Sequence, residues 1–244
     1  MKNHNRIIDL ESERLFENKK TTEKDIRENQ SKFYWATSLS ISAHDKKTYQ
    51  YIDQKDILEI GCSSGYSAKK YIQYTSKYTG LDISDEAIKE AKKLNLADAT
   101  FICSDGHYLP FKNESFDCIV VNSLLHHMDL NSMIPEIKRV LSAEGKLIIR
   151  EPLGINPLFN YYRKLTPYAR TVDEQPFTLA DLNLLKENFI LYDINWFGFL
   201  NILSGFLRLK ILRYCLTTSD SVLSNTPLKY LYWQISGILI KKNK

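Results

Sequence analysis

Cysteine is scarce, and none of Cys62, Cys103, Cys118 and Cys215 stands in C-x-x-C spacing. That argues against a zinc site and against a disulfide framework. Buried free thiols in a reducing cytosol are expected, with no bound metal. No window reaches the roughly 18 uninterrupted apolar residues of a spanning helix. The opening stretch MKNHNRIIDLESERLFENKK also lacks the apolar core of a secretory signal, so a cytoplasmic location is expected. Repeats and low-complexity tracts are absent. Acid is missing from one region: residues 194–244 hold Arg208, Lys210, Arg213, Lys229, Lys241, Lys242 and Lys244 against Asp220 alone, in a chain of net charge only +4.

What is present suits a compact soluble fold. A hydrophobic content of 43% and a charged content of 25% over 244 residues are ordinary for one domain with a sizeable core. Residues 1–50 are charged and read as an N-terminal helical cap. Short apolar runs of strand length then appear at 56–61, 77–82, 99–105, 116–122 and 146–152. Helical segments are expected between them, at 64–75, 84–94 and 131–141, with Ser84 as an N-cap and Gly145 closing the last. Alternation of this kind implies an α/β fold: a Rossmann-like, doubly wound, mostly parallel sheet of about seven strands with helices on both faces. Asn156 before Pro157, and Thr178 before Asp181, start two further helices. FILYDIN reads as a strand, apolar residues recur at helical spacing from Phe197 to about Leu216, and YWQISGILIKK reads as a returning last strand. The division expected is 1–50 cap, 51–195 nucleoside-binding body, and 196–244 apolar, basic helical lid within the same domain.

The stretch LEIGCSSGYS, residues 58–67, carries two readings. Gly61-Cys62-Ser63-Ser64-Gly65 matches the G-x-S-x-G elbow that presents a nucleophilic serine, and Asp117 and His126 supply the residue types of a triad. It also fits a Gly-rich turn closing a first strand over a nucleoside ligand. The second reading is favoured because Asp82 ends the next strand 21 residues after Gly61, where a ribose diol needs a bidentate acceptor. A hydrolase elbow would instead follow several sheet-building strands.

DILEIGCSSGYSAKKY, YTGLDISDEAIKEAKK, ATFICSDGHYLPFKNESFDCIVVNSLLHHM and VLSAEGKLIIREPLG together resemble the successive motifs of class I S-adenosylmethionine-dependent methyltransferases, over roughly residues 50–155. The resemblance implies S-adenosylmethionine as cofactor and S-adenosylhomocysteine as product. It implies that Gly61 and Gly65 admit the methionine part, and that Glu59 holds the loop or the cofactor's ammonium group. Asp82 would accept from the ribose hydroxyls, Ile83 would lie on the adenine face, and Asp105, followed by Gly106, would accept from the adenine amino group. Asn122 would offer its carbonyl near the methionine. Family members commonly have glycine where this chain has Ser63, which narrows the space beside the cofactor.

The activated methyl group comes with the cofactor, so the protein mainly aligns acceptor, carbon and sulfur. His126 and His127 follow the fourth strand and are candidate bases for an O–H or N–H acceptor, with packing or helix capping as their other reading; Glu151 at the fifth strand's tip could orient the acceptor or pair with Arg150. Tyr34 and Trp35 could close over the sulfonium, and Tyr161, Tyr162, Arg163 and Arg170 lie where family members vary substrate choice. The apolar, basic stretch 197–216 packs as a lid, or meets an anionic membrane surface and a greasy acceptor. Nucleic acid is not expected as a partner. The function expected is methyl transfer to O, N or C of a small-molecule or lipid-like acceptor. The alternatives are a non-catalytic binding or scaffold protein that keeps the fold, and a serine hydrolase using Ser63.

Overall fold

In a computed structural model of the chain, residues 9–22, 31–166 and 175–242 are described. Seven strands form one sheet: β1 (Asp56–Ile60), β2 (Lys77–Asp82), β3 (Ala99–Cys103), β4 (Phe116–Asn122), β5 (Leu141–Pro152), β6 (Phe189–Phe197) and β7 (Gln234–Lys241). Their order is β3-β2-β1-β4-β5-β7-β6. The first five are parallel, and β7 lies antiparallel between β5 and β6.

Period-two alternation sorts the strand residues onto two cores. Leu58, Ile60, Ile119, Val121, Leu147 and Ile149 face one side, and Ile57, Cys118, Val120 and Ile148 face the other. The first side is covered by α5 (Leu130–Val140) and α7 (Leu179–Asn188), which contribute Met133, Ile134, Ile137, Leu182 and Leu185. The second is covered by α3 (Ala68–Tyr71), α4 (Asp85–Lys92) and the end of α2 (Ser31–Ile52), through Tyr71, Ile88, Ala91 and Ile52. Burial on both faces is why these strands read as continuous apolar runs.

Several helix starts are where side-chain chemistry puts them. Ser84 Oγ accepts from Ala87 N at 3.0 Å, and Asn156 accepts from Leu158 N ahead of Pro157, which opens α6 (Pro157–Leu165). Thr178 and Asp181 form a reciprocal capping box at α7.

Three expectations are corrected. Only 68–71 of the expected 64–75 helix forms, because the chain first spends its backbone on a turn that passes through Gly65 at φ +76°. Gly145 closes no helix: α5 ends at Val140, and Leu141, extended and buried, already pairs with Phe116 at the start of β5. The helical spacing expected from Phe197 to about Leu216 does not hold throughout. The stretch runs as a short helical turn (Leu200–Leu203), α8 (Ser204–Leu207) and α9 (Lys210–Leu223), broken at Arg208 in the left-handed region with φ +50°. Asp220, the one acid of this region, is buried in α9 and accepts from the backbone N–H of Phe199, Leu200 and Asn201 at 3.1, 2.8 and 3.2 Å. It fixes the turn that leaves β6. Among the described residues no helix is long and apolar enough to cross a membrane.

Candidate active site

The strand order reverses at β1, since β2 and β3 lie on one side of it and β4 and β5 on the other. Crevices at such a reversal, outside the carboxyl ends of the strands, are where open α/β sheets bind ligands. A cavity of about 280 Å³ lies there. Its wall holds Gly61 and Ser63 after β1, Asp82 and Ile83 at the end of β2, Asp105 and Gly106 beyond β3, and Asn122 at the tip of β4.

Asp82 is buried, and its two carboxylate oxygens accept from Ser63 N at 2.8 Å and Ser84 N at 2.9 Å. One acid thus ties the turn after β1 to the start of α4, while each oxygen keeps a lone pair. Burial raises its pKa, and the two backbone donors oppose that rise. Ser63 holds φ +47°, a conformation that glycine adopts without cost. Its N–H is spent on Asp82, and among the described residues no hydrogen bond joins its hydroxyl to a histidine, so it lacks the partner of a triad nucleophile.

Asp105 lies past the end of β3 rather than in it. Its Oδ1 takes both the backbone N–H (2.9 Å) and Nδ1 (2.8 Å) of His107, and the His107 bond holds its carboxyl below the usual range. A Cβ on Gly106 would lie 3.1 Å from Met128 Cε and 3.3 Å from Ile60 Cγ2, so glycine keeps this part of the wall open. Asn122 donates to Tyr71 Oη at 3.2 Å, while its Oδ1 is buried with no partner among the described residues.

Glu59, Gly65 and Glu151 are not on the wall. Glu59 points to the α3 side of the sheet, fully buried, and accepts from Tyr78 Oη at 2.6 Å; burial pushes its pKa up to about 7 against the hydrogen bonds of Tyr78 and Ser67. It supports the turn from beneath and stands off the cavity wall. Gly65 serves packing: a Cβ there would stand 2.8 Å from Leu94 Cδ1 and 3.4 Å from Ala91 Cβ, beside α4.

Glu151 is wholly buried behind the turn after β4. Its Oε1 accepts from Leu124 N (3.0 Å) and Leu125 N (2.9 Å), and its Oε2 meets His126 Nδ1 at 2.7 Å. Burial raises its pKa to about 7. His126 and His127 both line the cavity, with ring centroids 4.1 Å apart, and His127 Nδ1 is 3.2 Å from Glu13 Oε1. The acid therefore holds the ring of one of the two candidate bases and stands off the cavity wall itself.

Beyond His126 the wall becomes aromatic. Phe33 and Tyr34 of α2, Phe159 and Tyr162 of α6, and Trp233 stand here, with Trp233 at 6.0, 5.7 and 6.0 Å from Phe33, Tyr34 and Phe159. Gln234 joins them, its Oε1 buried without a partner among the described residues. Arg163 also lines the cavity, whereas Tyr161 is exposed, Trp35 lies under Arg213 at 4.4 Å, and Arg170 lies outside the described residues. The cavity is also lined by α1 (Leu10–Thr22), which brings Glu13, Glu17 and Lys20 to the wall and is pinned by Asn18 to Ser84 Oγ (2.6 Å) and Asp85 (3.0 Å).

Residues 58–149 match the family model described as a methyltransferase domain. The chain is 34% identical over 146 residues to the uncharacterized protein MJ1123 of Methanocaldococcus jannaschii, covering 59% of this chain and 64% of that one. It is 37% identical over 93 residues to the demethylmenaquinone methyltransferase of Thermotoga maritima, covering 35% of this chain and 40% of the relative. It thus spans less than two thirds of the length of these curated relatives. Among solved structures, the geranyl diphosphate C-methyltransferase of Streptomyces coelicolor A3(2) superposes with a TM-score of 0.63 at 12% identity, over 91% of this chain and 87% of that one, a likeness of fold.

Proposed function

We propose, for a chain that belongs to the class I S-adenosylmethionine-dependent methyltransferases, transfer of the methyl group of S-adenosylmethionine to a hydroxyl or amine of a small, lipid-like acceptor. The observation that carries this reading is one cavity whose wall joins the acidic, glycine-bearing strand tips, His126 and a cluster of aromatic rings.

The donor set fits the cofactor. Asp82 has lone pairs for two ribose hydroxyls, Ile83 offers a flat apolar surface, Asp105 is held ionised as an acceptor for an amino group, and the unsatisfied Asn122 Oδ1 awaits a donor. S-adenosylmethionine, when bound, supplies a methyl group already activated on a sulfonium. The chain's own task is alignment and proton removal. With Glu151 ionised, Nδ1 of neutral His126 carries the proton toward the carboxylate and leaves the lone pair on Nε2, the tautomer a general base needs. The aromatic wall excludes water and grips an apolar acceptor.

Thermal unfolding with S-adenosylmethionine, S-adenosylhomocysteine and NAD tests the reading. A ligand at a hundred times its Kd stabilises by about 2.7 kcal/mol, hence by roughly 5–11 °C in a chain of this size. The first two should raise the midpoint and NAD should not, and Asp82→Ala, compared with its own unliganded midpoint, should erase the shift. A wild-type protein indifferent to both sulfur nucleosides ends the proposal.

A further inference from the structure

The most conspicuous feature outside the cavity is apolar surface left in solvent. On α9, Ile211, Tyr214 and Val222 share one face with Thr218, at helical spacing, and the three are 77%, 67% and 68% exposed. The inner face is already in use, since Leu223 packs against the core and the buried Asp220 holds the turn after β6. The outer stripe therefore contributes nothing to the fold. Ahead of it α8 leaves Phe206 and Leu207 exposed, and α6 leaves Leu158, Tyr161 and Leu165 exposed beside its cavity-facing Phe159 and Tyr162.

The α8 patch borders the cavity. Phe206, 61% exposed, has its ring 6.3 Å from that of Phe33, which lines the cavity and lies 5.4 Å from Tyr162. Among the described residues the charge flanking α8 and the start of α9 has one sign. Arg208 and Lys210 are exposed and make no ion pair among the described residues, Lys32 Nζ stands 4.8 Å from the Phe206 ring, and Asp220 is buried and consumed by backbone donors. An apolar helical face edged by cations suits a negatively charged lipid surface. A second copy is disfavoured, because a two-fold contact would bring like charges at Arg208 and Lys210 together.

We propose that the outer faces of α6, α8 and α9 seat this protein on an anionic lipid bilayer, with the aromatic end of the cavity turned toward it. The proposal deepens the methyltransferase reading and rests on it only for one step, that the acceptor enters from the bilayer past Phe206 and Phe33.

Flotation of the full chain with vesicles tests it. The protein should float with phosphatidylcholine–phosphatidylglycerol vesicles, less so at high salt, and hardly at all with phosphatidylcholine alone. Arg208→Gln with Lys210→Gln should weaken partitioning about thirty-fold, and Ile211→Ser with Val222→Ser should abolish it. All four positions lie off the cavity wall, so the midpoint shift with S-adenosylhomocysteine should survive in each variant and certify its fold. Equal indifference to both vesicle types overturns the proposal, as does a dimer in sedimentation that Ile211→Ser with Val222→Ser dissociates. Loss of the midpoint shift in the wild type would instead sink the cofactor reading and leave the flotation result standing.

Discussion

Replacing Glu59 by glutamine should make the protein's stability less sensitive to pH, by an amount the structure sets. Glu59 sits beneath the turn after β1 with a pKa near 7 against an ordinary value of 4.5, because burial disfavours its charge more than Tyr78 and Ser67 favour it. An acid with a raised folded-state pKa contributes stability that is full below 4.5 and is lost as pH rises through 7, since over that window the folded chain holds a proton that the unfolded chain releases. Integrated from pH 5 to pH 8, the loss is about 2.5 kcal/mol at 1.36 kcal/mol per unit. Glutamine still accepts from Tyr78 Oη but does not titrate. The midpoint of Glu59→Gln relative to wild type should therefore climb by roughly 5–10 °C between pH 5 and pH 8. Thermal unfolding of both proteins at the two pH values, without ligand, measures this, and the comparison cancels every other titrating group, Glu151 included. A difference that stays flat with pH would show that Glu59 ionises in its usual range and that the desolvation argument is wrong.

Glu151→Gln keeps an acceptor for Leu124 N and Leu125 N but offers His126 Nδ1 an N–H instead of a carboxylate, which forces the proton onto Nε2. Turnover should fall about 10²–10⁴-fold with a changed pH–rate profile, while the S-adenosylhomocysteine midpoint shift stays; unchanged turnover would remove His126 as base. Asp220→Ala strands three backbone donors at the exit of β6 and should cost about 3–5 kcal/mol in denaturant unfolding. A cost under about 1 kcal/mol would mean that water replaces the carboxylate there.

The body of the fold was legible because β1, β2, β4 and β5 are buried on both faces and write themselves as apolar runs, and because Ser84, Asn156 and Thr178 cap helices through contacts only two or three residues long. Boundaries that depend on distant partners were not. Leu141 joins β5 because Phe116 pairs with it, and nothing local to Gly145 announces that. The same distinction divides the site. Asp82, Ile83, Asp105, Gly106 and Asn122 follow their strands directly and reach the cavity wall. Glu59, Gly65 and Glu151 lie equally close in sequence, but the sheet's pleat and the turn geometry send them behind it. Trp233 and Gln234 were missed because only the antiparallel register of β7, with Gln234 opposite Pro152, carries a strand's beginning to the edge where the other strands end. The α1 residues Glu13, Glu17 and Lys20 left no trace in any motif, since a charged helix docked through Asn18 reads like any solvated one.

The place of β7 also constrains how the molecule is made. During synthesis β6 leaves the ribosome with no neighbour to pair with, and β5 waits with one open side, because the strand that joins them is translated last. A nascent chain thus carries two unsatisfied rows of amides and carbonyls for the time taken to add α8, α9 and the final strand, an invitation to mispairing that a sheet completed in sequence order avoids. Cellular folding helpers that shield strand edges should therefore matter for this sheet.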